Sequence, residues 1–107
     1  MINFEQFQAI DVRVVTILSA ERVEGSEKLL KLTVQNGDER RTIVAGIGNV
    51  YEPTDLINKQ TTIVANLEPR ILMGVESQGM LLAASDMDGK AVILSPEREV
   101  PPGIRLK

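Results

Sequence analysis

The densest set of groups able to hold a polar ligand lies between Asn66 and Ala84. Pro69 fixes its own φ and pushes Glu68 toward extended geometry, so an incoming strand Thr62 to Leu67 must end there. Arg70 follows at once, a planar five-donor group beside a rigid corner. Gly74 and Gly79 free the backbone at two points, and Gly79 allows another chain or a ligand to come close. Ser77, Gln78 and Met80 surround that glycine with a hydroxyl, an amide and a deformable apolar side chain. The same residues would equally make a loop with a solvated arginine and a core methionine. After Met80 the run Leu81-Leu82-Ala83-Ala84 is apolar throughout and reads as a buried strand.

Elsewhere the chain is poor in reactive groups. It has no histidine and no cysteine, which removes the commonest general base, the thiolate nucleophile and the usual soft metal ligands. The carboxylates are scattered singly, and no phosphate-cradling glycine loop with a following lysine occurs. No catalytic residue, metal site or cofactor is therefore expected. Twelve basic against fifteen acidic residues, net −3, argue against generic nucleic-acid affinity but leave room for a local basic face. Phe4, Phe7 and Tyr51 are too few for stacking single strands. No apolar run approaches a membrane span, and Asn3, Glu5 and Gln6 interrupt any signal segment, so a cytoplasmic protein without membrane contact is expected.

With 107 residues the chain reads as one domain, residues 1–107. Asn3 and Gln6 form a capping box for a short helix to Ala9, with Phe4 and Phe7 as a lid on the core. Alternation from Asp11 to Val23, from Leu30 to Val34 and from Glu39 to Val44 predicts three strands, the last two joined at Asn36-Gly37. Pro53 opens a short helix whose Leu56 and Ile57 plug a barrel. A fourth strand (Thr61 to Leu67), a fifth (Gly79 to Ala84) and a short one (Ala91 to Leu94) follow, with Asp86-Met87-Asp88-Gly89 as a turn. That order predicts an all-β OB-fold, a five-stranded Greek-key barrel with short helices and a C-terminal extension. The extension, residues 95–107, reads as a closing flap or as an edge for a second copy.

An OB barrel binds along its second and third strands and the adjoining loops. Lys28, Arg41, Arg70 and the Ser77-Gln78 pair would converge there, whereas Lys31, near Glu27 and Glu39, reads as a solvated charge.

Several segments then match a known family: Asp11-Val12-Arg13-Val14, Glu27-Lys28-Leu29, Arg41 to Gly46, Ala65 to Arg70, Gly74 to Ala83, and the Pro96 to Arg105 tail. The chain resembles the tRNA-binding domain carried at the C-terminus of many methionyl-tRNA synthetases, as stand-alone dimeric tRNA-binding proteins and in a bacterial secretion chaperone. The resemblance implies an OB-fold that binds tRNA by shape and assists the catalytic part of methionyl-tRNA synthetase without being catalytic itself. It also implies a homodimer made through the barrel and the tail. By position, Lys28, Arg41, Asn66 and Arg70 would meet phosphates or bases, and Ser77, Gln78 and Met80 would form the pocket beside them. Val15 replaces a usual glycine, and Val23-Glu24 replaces a histidine and proline. The rival expectations are a chaperone for unfolded peptides and a purely structural dimerisation domain.

Overall fold

Val15, Ile17, Leu30, Leu32, Val34, Ile43 and Ile63 point inward from four strands and are completely buried. The computed structural model describes all 107 residues and shows them curled into an all-β, OB-like barrel. Its long strand β1 (Val12–Arg22) pairs with β4 (Gln60–Val64) through Val12 to Thr16 and with β2 (Leu30–Asn36) through Thr16 to Arg22. The register shifts between Ile17 and Ser19, an irregularity that bends the strand from one neighbour to the next. β3 (Glu39–Ala45) lies beside β2, and β7 (Met80–Leu81) lies beside β4, every pairing being antiparallel. Val15, at the position of the expected glycine, fills the core. α1 (Phe4–Gln8) and α2 (Pro53–Leu56) are short, and buried Leu56 plugs the barrel while Ile57 turns outward.

The hairpin after β2 turns on Gly37 and Asp38, with Asn36 still paired to Glu39. Only Gly37 there has positive φ, so the left-handed position falls one residue later than the Asn-Gly pattern suggests. The capping box on α1 forms as expected: Gln6 N–H donates to Asn3 and the Asn3 N–H to Gln6. The expected lid does not form. Phe4 is 70% exposed and no residue of α1 is buried. The helix is held by polar ties instead, with Asn66 Nδ2 donating to Ala9 O at 2.8 Å and Arg105 donating to Gln8 O at 2.7 Å.

The second half of the chain departs further from alternation. β4 ends at Val64 rather than Leu67, and the stretch expected as a loop contains a hairpin, β5 (Arg70–Leu72) with β6 (Val75–Ser77). Met73 and Gly74 form its two-residue tip, both at positive φ. The expected fifth strand divides: β7 belongs to the barrel, and β8 (Ala83–Ser85) leaves it to pair with β9 (Ala91–Ile93). Ala83 and Ala84 are consequently exposed, not buried. Leu82 N–H still donates to Thr62 O, so the departure begins at the next residue. Asp86 and Gly89 close the β8–β9 turn through an Asp86 side chain that accepts from Asp88 and Lys90 N–H groups.

The tail folds back on its own barrel. β10 (Ile104–Arg105) adds to the free edge of β1 at Arg13 and Val14, with Gly103 N–H donating to Val14 O at 2.6 Å and Leu106 N–H to Val12 O at 2.8 Å. Asp11 receives Arg13 at 2.7 Å and has Arg105 at 3.6 Å, so one carboxylate holds the strand and the strap together. The Arg13 hydrogen bond holds the Asp11 carboxyl below the usual carboxylate range and raises the arginine in turn. No helix is long and apolar enough to cross a membrane, and no group of three or more carboxylates gathers as a metal site would require.

Candidate functional site

A barrel assembled from these strands has a seam where β3 meets the chain after β6, and side chains rather than a backbone ladder close it. Val44 N–H donates to Ser77 Oγ at 2.9 Å, and that hydroxyl donates to Gly79 O at 2.9 Å. One residue on, Thr42 N–H donates to Gln78 Oε1 at 2.9 Å while Gln78 N–H donates to Thr42 O at 2.8 Å. Gly79 must be a glycine here. Its φ is 140°, and a Cβ would stand 2.8 Å from Val64 O. The expected close approach is thus made by strand β4 of the same chain.

Arg41 lies across the same seam. It shares the core-facing side with Val34, its partner in β2, and reaches the barrel end. Its Nη1 donates to Ala65 O at 2.5 Å and to Gln78 O at 3.3 Å, and its Nε to Glu39 Oε1 at 2.7 Å. That oxygen also accepts from Asn36 at 3.0 Å. The Arg41 hydrogen bond holds the Glu39 carboxyl below its ordinary value, which favours the charged carboxylate.

The seven residues marked by sequence therefore divide into three kinds. Ser77 is 3% exposed and its hydroxyl is fully engaged, and both polar ends of the Asn66 amide are engaged, accepting from Asp11 N–H and donating to Ala9 O. These two build the fold beneath the site. Arg41 and Gln78 build the seam while each keeps one nitrogen without a partner, Nη2 and Nε2. Lys28 and Arg70 are exposed and take part in no ion pair. Met80 pairs with Val64 and leaves 44% of its surface exposed.

Lys28 is held in place although its ammonium is free. Its Cε lies 2.9 Å from where a Gly46 Cβ would be, so the stem runs over a bare glycine. Its carbonyl accepts from Gly48 N–H at 2.7 Å, and the turn before it is fixed by Ser26 Oγ accepting from Leu29 N–H and by Arg22 donating to Glu27 O and Gly48 O. The β5–β6 hairpin links this turn to the seam. Arg70 sits at its base opposite Ser77, and the Met73 methyl at its tip lies 3.2 Å from the Cβ position of Gly25. The hairpin thus runs from the segment of Arg70 and Gln78, beside Arg41, to the turn that precedes Lys28. Lys31, expected as a solvated charge near Glu27 and Glu39, pairs loosely with Glu21 at 3.7 Å.

Two contributors were not taken as site residues from the sequence. Arg40 lies opposite Gln35, is exposed and has no side-chain partner; the sequence places it on the third strand beside Arg41 but does not single it out. Met73 is a non-glycine residue with φ of 50°; the signal was a Met-Gly pair between Leu72 and Val75, which is a two-residue hairpin pattern lacking the usual Asn or Asp.

A family model described as a putative tRNA binding domain matches residues 12–105. The methionine–tRNA ligase of Methanothrix thermoacetophila is 54% identical over 107 residues, covering 100% of this chain and 16% of the ligase. Curated relatives of this kind are thus far longer, and the chain spans about one-sixth of their length. A MetRS-related protein from Pyrococcus horikoshii superposes with a TM-score of 0.93 at 38% identity, covering 100% of this chain and 98% of that one. The chaperone CsaA of Bacillus anthracis superposes with a TM-score of 0.90 at 30% identity, covering 100% and 99%.

Proposed function

We propose, since this chain belongs to the putative tRNA-binding domain family, that it captures tRNA by shape on the Lys28–Arg70 flank and so assists aminoacylation by a methionine–tRNA ligase. The observation that carries this reading is the pair of unpartnered cations joined through the β5–β6 hairpin. Lys28 supplies a point charge and Arg70 a planar fork, both suited to phosphate oxygens. The ligase supplies identity reading and catalysis, and this domain raises the local concentration of tRNA. Its place of work is the cytoplasm, beside the ligase.

A flank with so few cations, on a chain of net charge −3, binds weakly alone. A homodimer would double it. Support for a second copy comes from β8 and β9, where Ala84, Val92 and Leu94 are exposed on one apolar face that one chain leaves open. The tail, which straps β1 within its own chain, adjoins α1 and its exposed phenylalanines.

The likeness to a chaperone favours a second reading, in which exposed Ile71, Met73 and Met80 hold unfolded peptide. Filter binding of total tRNA against an unfolded peptide separates the two. On the tRNA reading, binding falls with salt at a slope of roughly −2 to −4, as for three or four neutralised phosphates. Lys28→Ala and Arg70→Ala each weaken it and flatten the slope. Unchanged affinity and slope in both variants, or peptide binding without tRNA binding, overturns the proposal.

A further inference from the structure

Beside the seam, between β3 and the segment after β4, an open cleft of about 280 Å³ combines a polar floor with an apolar wall. Leu67 and Pro69 form the wall, both exposed to the opening. On the floor, Gln78 Oε1 is fixed by the Thr42 N–H, so its NH2 end is turned away from that bond and left without a partner. Arg41 has Nε and Nη1 engaged and Nη2 unused. Glu39 receives both Arg41 and Asn36 on Oε1, leaving Oε2 as the free acceptor. Arg40 stands on the rim with no partner of its own.

This is an unusual set for a solvated surface. Donors from an amide and a guanidinium line the same cleft as a carboxylate acceptor. A flat apolar wall adjoins them, and a free cation stands at the edge. A phosphate would be repelled by Glu39, and a single peptide unit offers one donor and one acceptor against the cleft's two donors and one acceptor. The Watson–Crick edge of a base presents both donors and acceptors, and that edge is open only when the base is unpaired. The wall can cover the base face in a chain with no aromatic residue there.

We infer that this cleft receives one unpaired base of bound RNA, with its edge against Gln78, Arg41 and Glu39 and its phosphate on Arg40. The inference rests on the tRNA reading only for the kind of RNA that supplies the base. It adds a nucleotide-sized contact to recognition that otherwise runs through phosphates.

The test is a titration of the 15N-labelled full chain with GMP, AMP, CMP and UMP, and with ribose 5-phosphate as the baseless probe, at millimolar concentrations. The nucleotides shift the amides of Glu39, Arg40, Arg41, Leu67 and Gln78, and ribose 5-phosphate does so only at about tenfold higher concentration. In tRNA filter binding, Arg40→Ala lowers affinity severalfold without moving the unfolding midpoint, since Arg40 has no contact to lose. Equal shifts with ribose 5-phosphate, shifts confined to other amides, or no shifts refute the cleft. If tRNA binds and nucleotides leave these amides unmoved, the cleft falls and the tRNA reading stands. If tRNA fails to bind while nucleotides move them, the tRNA reading falls and the cleft stands.

Discussion

Ser77→Ala distinguishes a residue that touches ligand from one that builds the place where ligand sits. The serine hydroxyl accepts from Val44 N–H and donates to Gly79 O, both at 2.9 Å, and the residue is 3% exposed. Alanine removes one oxygen and creates almost no cavity, so the loss is one of hydrogen bonds. Two backbone groups are left without partners, the Val44 N–H deep in the wall and the less buried Gly79 C=O. Each unsatisfied buried group costs about 1–3 kcal/mol, so a total of about 2–6 kcal/mol is expected, falling to about 1–3 kcal/mol if water reaches Gly79. For a domain of this size that lowers Tm on the order of 10 °C. Urea unfolding at neutral pH, followed by circular dichroism, measures it directly. At a temperature where the variant is still folded, its tRNA affinity should fall less than that of Arg70→Ala, and its salt slope should match the parent's. If Ser77→Ala unfolds within about 0.5 kcal/mol of the parent yet loses tRNA binding, the hydroxyl is a ligand contact and the seam argument is wrong.

Other perturbations probe other joints of the same structure. Arg41→Lys keeps the charge but cannot reach Glu39, Ala65 O and Gln78 O together, so urea unfolding should show a loss of about 1–3 kcal/mol; an unchanged midpoint would remove Arg41 from the seam. Asp11 is held ionised by Arg13, so its folded pKa is depressed. Its contribution is fully present above the unfolded carboxylate value of about 3.9 and is lost as pH falls through the folded one. In Asp11→Asn, stability measured from about pH 5 downward should therefore decline less steeply than in the parent, with Glu39 supplying part of the remaining acid sensitivity. Deleting residues 95–107 uncovers the β1 edge at Val12 and Val14. If the proposed homodimer is made through the tail, sedimentation should show dimers for the full chain and monomers for the truncated one, and a truncated chain that stays dimeric would place the contact elsewhere, as on the β8–β9 surface.

The first half of the barrel was legible because apolar and polar residues alternate over much of it, most clearly in β2. Leu30, Leu32 and Val34 bury one face of β2, and the observed strand starts where the pattern does. Alternation says which side of a strand is apolar, but it does not say what covers that side. For Phe4 and Phe7 the missing fact was that α1 is fastened by Asn66 and Arg105, which leaves its apolar side outward. For Leu81 to Ala84 it was that β8 exchanges β4 for β9. Both errors came from long-range pairing that no local window contains. At the candidate site the sequence marked polar residues in segments that meet at the seam, but it did not show their division of labour. Asn66, Ser77 and Gln78 looked alike as polar loop residues, and only the distances separate a hydroxyl closing a seam from an amide with a nitrogen to spare.

That division bears on how the likeness to two differently named proteins should be read. The segments most diagnostic in sequence, Asn66 to Arg70 and Ser77 to Leu82, contain the residues that lock β3, β4 and the β6–β7 corner to one another. A barrel of this design needs them whatever it binds, so close superposition on both a MetRS-related protein and a chaperone does not by itself choose a ligand. Choice of ligand must then lie in groups the seam leaves free: the Lys28 ammonium, the Arg40 and Arg70 guanidiniums, and the spare nitrogens of Arg41 and Gln78. Three of these five are full cations pointing to solvent, against three exposed apolar side chains at Ile71, Met73 and Met80. Phosphate contacts gain from each added cation and lose with salt, whereas burial of apolar side chains does not weaken with salt. Salt dependence is therefore the measurement that separates the two occupants of this flank.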